Sequence, residues 1–592
     1  MSEAMRWDLS QLVLSTEPDW ITKRLEEAVQ QAGRWRERYQ GKIISLDPKG
    51  VLSLLEEKDK FGLEIEGVLS YCALRYSADT TDLVSQQLHN VARKAGTKIG
   101  QQLAFLDIEM GRLLASKPEI IENQVLREYK HYLERTLRAI PHLLSETEER
   151  LVMAKDQNGV HAWSQLQGDW LSTRTFKLTV DGKERTLPYG EIISYYQHPD
   201  RVLRKQAYQV VYHHLSKDEI VWSSAIRAIC SDHLHMCEWR KYPTPMSPSL
   251  IANDLDQGAI DALMRTMMRN VELYRRYLRL KAQLMKLPKL GNWDVVAPLP
   301  STPDKVFGWD ESRQLIVSSY SHFDRQFGEW VDEMYQRRHI DGEVRKGKES
   351  GAFCSTWFGG KSAFILQSFN GTINDVYTQA HELGHGVHAY LGSRAQKPSN
   401  YEIGSCIAEC GSIFGELLLT EGLLKGAKSD ADRQAVLATI LDEFGMAAFQ
   451  VTARYFFERS LYETIQAGKF LDGETVSKLW TTARDSIYGD AMEWLPEMKW
   501  EWTMKMHYYI PNYRFYNYPY VFAQLFVFSL YRLYKEEGES FVPKLRRLLS
   551  AGSSSSPTEL AKEIGFDINS DEFWQKGMEQ AREFIDQLER TL

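Results

Sequence analysis

Thr372-Ile-Asn-Asp-Val-Tyr-Thr-Gln-Ala-His-Glu-Leu-Gly-His-Gly-Val-His-Ala-Tyr-Leu-Gly392 is the stretch on which the reading of this chain turns. Ile373, Val376, Ala380, Leu383, Val387 and Leu391 recur at threes and fours, the apolar stripe of an amphipathic helix. Thr372 or Asn374 can cap its start, and Gly392 can end it. His381, His385 and His388 fall on another stripe, roughly 100° or more away. The run His381-Glu382-Leu383-Gly384-His385 fits H-E-x-x-H, in which two imidazoles one turn apart converge on a single Zn²⁺ at about 2.0–2.1 Å. Glu382 projects about 100° around the helix, beside the metal, where a general base for an activated water belongs. A helix that merely carries three surface histidines is the plain alternative.

A peptidase zinc site needs a third protein ligand. His388 stands seven residues after His381, about 10 Å along the axis, too far to share the ion. The position ten residues after His381 holds Leu391. Downstream, Ser405 to Leu419 reads as a second, mostly apolar helix with Glu409, Ser412 and Glu416 on one polar stripe. A carboxylate inside an apolar helix is costly unless it is paired or bound to metal. Glu409, 24 residues after His385, is taken as the third ligand, with Ser412 and Glu416 as groups that orient the imidazoles. Glu402, which Pro398, Ser399 and Asn400 place in a loop, is the other candidate. Cys406 and Cys410 read as core residues.

A third feature is aromatic: His507-Tyr-Tyr-Ile-Pro-Asn-Tyr-Arg-Phe-Tyr-Asn-Tyr-Pro-Tyr520. Attack of water on an amide creates an oxyanion, and tyrosine hydroxyls and an imidazole N–H are suitable donors to it. Tyrosine-rich segments also simply pack. His233-Leu-His235-Met-Cys237 offers no second metal site, because residues two apart on a helix diverge by about 200°.

The rest of the chain supports this centre. Its 592 residues are 43% hydrophobic and 26% charged, with a net charge of −8, an ordinary globular composition with no basic excess for nucleic acid or anionic membranes. Apolar spacing predicts helices over most of its length, including 20–33, 51–89, 125–155 and 189–287. Phe176 to Leu187 reads as two short strands joined by a type I′ turn at Asp181-Gly182. Residues 288–303 read as a connector, and 339–370 as irregular apart from a short strand at 363–368. From Gly371 onward the expectation is helix to the end. A boundary at the hairpin gives an N-terminal helical region, 1–187, and a helical catalytic domain, 188–592. The N-terminus lacks a signal-type apolar run, and the nearest approach to a membrane span, Tyr518 to Leu533, is broken by polar residues. Six cysteines without framework spacing fit the cytoplasm.

The combination of Ala380 to His388, Ile407-Ala-Glu-Cys410 and His507 to Tyr520 resembles the oligoendopeptidase F family, among the thimet-oligopeptidase-like zinc peptidases. Further similarity lies in Asp200-Arg201, Asn292 to Pro298 and Gly351-Ala-Phe-Cys354. The resemblance implies a mainly α fold around a deep channel that admits short peptides and excludes folded proteins. It puts one Zn²⁺ on His381, His385 and Glu409, with Glu382 as base. The family's transition-state histidine maps to His507, and its tyrosines to Tyr513, Tyr516 or Tyr518. Phe515 occupies one register where a tyrosine is expected. A short strand near 363–369 would meet the substrate backbone. The resulting expectation is a zinc-dependent endopeptidase acting on short peptides. The alternative is a non-catalytic, zinc-containing helical scaffold that binds peptides.

Overall fold

The computed structural model describes residues 5–300 and 305–592, so the first residues of the N-terminal run and the last of the 288–303 connector lie outside the described residues. The fold is mainly helical, with three small sheets of two or three strands among the described residues. The chain divides into two compact units, each assembled from three separate segments.

The first unit comprises Met1–Ile140, Asp304–Gly426 and Leu533–Asp567. Its N-terminal helices, Pro18–Tyr39, Pro48–Ala78 and Leu83–Leu103, pack their apolar faces together. Asp47 and Asp82 cap the second and third by accepting from Gly50 and Ser85 N–H groups. A three-stranded sheet lies in the 339–370 stretch, in the order Ile340–Asp341, Ser362–Leu366, Phe353–Trp357. The expected strand is therefore present, but it is central, buried and paired on both edges. The outer strands are Ile340–Asp341 and Phe353–Trp357, so 363–369, expected to be presented, does not lie at an edge. Phe364 and Leu366 close one face of the sheet against Trp7, Leu12, Ile21 and Tyr71.

The second unit comprises Pro141–Pro303, Ala427–Arg532 and Ile568–Leu592. The hairpin Thr175–Val180 and Lys183–Pro188 lies within it, with Asp181 and Gly182 both at positive φ (51° and 73°), as a type I′ turn requires. The compact units are thus cut elsewhere than at the hairpin. Asp294 is wholly buried and is gripped by Arg201 and Arg204, each 2.8 Å away. This pairing joins Arg201 to the stretch Asn292 to Pro298. A continuous helical run, Asp430–Gln466, contains a π turn at Gly445–Gln450. It is long and apolar enough to cross a membrane and is mostly buried within the protein, so it exceeds Tyr518 to Leu533 in that respect.

The expectation of helix from Gly371 to the end fails between 489 and 517. Gly489 ends a helix at φ 52°, and 3-10 turns at Pro496–Met504 and Met506–Tyr508 follow. Pro496 and Pro511 remove the backbone donors a continuous helix needs.

Candidate active site

The histidine helix runs from Ile373 to Ala395 in the first unit. Thr372 caps it by accepting from Asp375 N–H at 3.1 Å, and Asp375 reaches back to the Thr372 N–H at 3.0 Å. Gly392 does not end it. A Cβ there would lie 2.7 Å from the Tyr401 ring, so this glycine serves a close approach inside the helix.

The expected second helix is present with a break. Ser405–Ala408 and Cys410–Gly426 are separate helical segments, and Glu409 sits between them at φ −84°, ψ 3°. This is the bridge region of backbone space, where many active-site residues are found. The glutamate helix crosses the histidine helix backbone to backbone. A Cβ on Gly384 would stand 2.3 Å from the Gly411 carbonyl, and one on Gly411 would stand 2.4 Å from the Gly384 carbonyl. Only glycine at both positions permits that approach.

At this crossing, Glu409 Oε2 lies 3.3 Å from His381 Nε2 and 3.3 Å from His385 Nε2. Ligands at about 2.0–2.2 Å in tetrahedral array stand roughly 3.3–3.6 Å apart. The two imidazoles meet edge to face, with centroids 4.9 Å apart. His381 Nδ1 is 2.5 Å from Glu416 Oε1, which places a proton on Nδ1 and leaves Nε2 facing the cluster. Ser412 Oγ donates to Glu409 Oε2 at 2.7 Å. The donor set thus fits a zinc ion.

Burial opposes a charge on His381, but hydrogen bonds to Glu409 and Glu416 prevail and lift its pKa well above the ordinary imidazole value. Burial alone would raise the Glu409 carboxyl, yet both imidazoles hold it well below the usual carboxylate range. A divalent cation held here would compete with the proton on His381 Nε2, so its binding would be linked to proton release. Glu382 is 7% exposed; burial raises its pKa, and the two histidines partly offset that rise. The Cys354 thiol of the outer strand 353–357 is raised by its own burial and feels the Glu382 charge. That strand packs against the histidine helix.

His388 is buried, and its place outside the three-residue cluster follows from its separation along the helix. Glu402 is exposed, and Cys406 and Cys410 are wholly buried. His233 is 2.7 Å from the Pro245 carbonyl, and Cys237 packs against it. All six cysteines are free.

In the second unit, His507 lies in the short turn Met506–Tyr508. Its ring stacks on Tyr516 at 5.9 Å, and Tyr513 stacks on the far side of Tyr516 at 4.4 Å. Tyr520 stands edge-on to His507 at 6.0 Å, with its hydroxyl 3.5 Å from Nε2. Tyr520 was not among the residues singled out in the sequence, where nothing separates it from its neighbours. Tyr518 is wholly buried, and its hydroxyl receives hydrogen bonds from Ser249 and Asn253, both at 3.2 Å. Burial, then Arg454, Lys505 and Arg514, push the His507 pKa down to about 4, which keeps the ring neutral at pH 7.

Comparison with known proteins bears on the family and the fold. The profile of Peptidase family M3 matches residues 313–580, and that of Oligopeptidase F matches 118–176. Group B oligopeptidase PepB of Streptococcus agalactiae is 26% identical over all of this chain and 98% of its own length. Oligopeptidase PepF of Bacillus subtilis is 25% identical over 94% of this chain and 83% of its own. A crystal structure from Chlamydophila abortus superposes with a TM-score of 0.89 at 20% identity, covering 100% of this chain and 99% of that one. Oligoendopeptidase-F from Enterococcus faecium gives 0.69 at 20% identity, covering 97% and 98%. At such identities the superpositions speak for the fold alone.

Proposed function

Since the chain belongs to the oligoendopeptidase F group of peptidase family M3, we propose that it is a zinc-dependent endopeptidase that hydrolyses internal bonds of short peptides. The observation that carries the zinc site is Glu409 Oε2 lying 3.3 Å from the Nε2 atoms of both His381 and His385. These three residues would hold the ion, with Glu416 and Ser412 fixing His381 and Glu409. When bound, zinc supplies a Lewis acid that lowers the pKa of water to about 7 and polarises a carbonyl.

Glu382 is the general base. It takes a proton from the attacking water and delivers it to the amine that leaves. Its burial supports that role, because a raised carboxyl pKa brings it nearer the working pH. His507, with Tyr513, Tyr516 or Tyr520, supplies neutral donors for the carbonyl oxygen as it gains charge. Tyr518, whose hydroxyl is engaged by Ser249 and Asn253, is assigned to packing in this reading. The outer strand 353–357 offers its backbone to an extended peptide by strand addition. Six free thiols, five of them buried, support a cytoplasmic setting.

The test is cleavage of quenched fluorogenic peptides of graded length, with and without chelator and restored zinc. Chelator-sensitive internal cleavage of short peptides but not of folded protein is expected. Stoichiometric zinc with no cleavage at any length would replace this reading with that of a peptide-binding scaffold.

A further inference from the structure

We propose that Glu458 and Arg514 are positioning residues for His507, fixing the backbone from 507 to 517 so that the His507 and Tyr516 rings keep one arrangement. The proposal rests on the reading of His507 as a donor to the substrate carbonyl. All residues involved lie in the second unit.

Beyond the turn Met506–Tyr508, this stretch has no regular structure before the helix at Tyr518, so its backbone polar groups need other partners. Arg514 is 5% exposed and supplies three of them. Nη1 donates to the Tyr508 carbonyl at 3.0 Å, and Nη2 donates to the carbonyls of His507 at 2.5 Å and Ile510 at 2.7 Å. Glu458 is 1% exposed, on the helix Val451–Gln466 just beyond the π turn. Its Oε1 accepts from Phe515 N–H at 2.7 Å, and its Oε2 from Asn517 Nδ2 at 3.1 Å.

Phe515 explains what the clamp achieves. Its φ is 55°, a left-handed conformation that costs energy in a bulky residue and persists only where its surroundings enforce it. That conformation sends the Phe515 ring into the core, stacked on Tyr462 at 5.3 Å, while the next residue, Tyr516, stacks on His507. A tyrosine in the register of Phe515 would put its hydroxyl in the core. Two buried opposite charges are an expensive way merely to fill space, since apolar packing stabilises as well or better. What the pair adds is a rigid fork on one side and a two-oxygen acceptor on the other.

Charge contributes as well as shape. The cationic groups that lower the His507 pKa are Arg454 on the Glu458 helix, Lys505 and Arg514. Glu501 stands 3.8 Å from Arg454 and 3.5 Å from Lys505, and the rings of Tyr516 and Tyr520 complete the surroundings.

The experiment uses full-length, zinc-loaded enzyme with Glu458→Gln, Arg514→Lys and Arg514→Gln, beside His507→Ala. Glu458→Gln and Arg514→Lys are expected to keep stoichiometric zinc and to lower kcat by about ten- to a hundredfold, with KM within about twofold. In Arg514→Gln, the His507 ring, followed by NMR, should titrate above about 4, toward the free imidazole value. If His507→Ala keeps wild-type kcat, the donor reading fails and takes the proposal with it. If His507→Ala loses kcat while Glu458→Gln and Arg514→Lys retain it, the positioning proposal alone is overturned. Should the Arg514 variants not fold, the near-isosteric Glu458→Gln decides. A lower melting temperature with unchanged kcat and His507 titration would reduce the pair to a stability role.

Discussion

The metal cluster and the His507 loop solve one problem, holding polar groups still, by opposite means. His381 and His385 are carried by a single helix, and Glu409 and Glu416 are brought to them by a second helix that touches the first at two glycines. Regular backbone does the positioning there, and side chains only refine it. The His507 stretch has almost no regular backbone, so buried side chains do the positioning instead. Helix-borne groups inherit their geometry from residue spacing. Loop-borne groups inherit theirs from contacts distant in sequence, which makes the loop sensitive at residues that touch no substrate.

The largest effects expected lie in the cluster. Glu409→Ala or His385→Ala should abolish stoichiometric zinc and with it all chelator-sensitive turnover; tight zinc retained in Glu409→Ala, by metal analysis, would remove that ligand from the scheme. Glu382→Gln should keep zinc yet lower kcat by about 10²–10⁴-fold, the usual contribution of a general base. A variant retaining most of its activity would take the base role from Glu382.

Gly411→Ala probes the crossing itself. Alanine favours helix by about 1 kcal/mol, but the new methyl meets a carbonyl. A net loss of about 1–3 kcal/mol with weakened zinc binding is expected, read by thermal denaturation and zinc titration. Unchanged stability would mean that the helices are less closely apposed than 2.4 Å implies.

The loop sharpens the contrast through its tyrosines. Tyr518→Phe should cost about 0.5–1.5 kcal/mol of stability with kcat nearly unchanged, because its hydroxyl serves Ser249 and Asn253. Tyr516→Phe and Tyr520→Phe should instead change kcat more than stability, and the reverse pattern would exchange these assignments. The smallest signal is in pH. His507 has a native pKa of about 4 against about 6.5 unfolded, so the unfolded chain binds more protons between those values. Its contribution to stability is complete above pH 6.5 and is lost as pH falls toward 4. A kcat limb near pH 6 that disappears in His507→Gln would show that the ring is not held neutral.

This division also explains what could be read in advance. The spacing of His381, Glu382 and His385, and the polar stripe of Glu409, Ser412 and Glu416, are local periodicities, and they describe the cluster the structure brings together. The break at Glu409 could not be read, since a single glycine such as Gly411 occurs inside continuous helices as well as beside breaks. Gly392 looked like a stop signal because sequence cannot separate a glycine that ends a helix from one that admits Tyr401. Glu458 was missed because its partners, Phe515 and Asn517, lie far from it in sequence. Tyr520 is one tyrosine among several, and strand 353–357, although it pairs locally with 362–366, sits in a glycine-rich stretch without strand alternation.

The three-segment make-up of each unit has a consequence during synthesis. Phe414, on the glutamate helix, packs against Phe541 and Tyr534, and in the second unit Phe522 packs against Trp574. A ribosome adding about 5–20 residues per second reaches Phe541 on the order of ten seconds after Phe414 has been made. Throughout that interval the nascent chain holds every residue of the His381–Glu409 cluster but not the apolar cover of the helix that carries it. The Phe414–Phe541 and Phe522–Trp574 contacts cannot form until the last tenth of the sequence is being translated, so this aromatic surface stays open to chaperones until then.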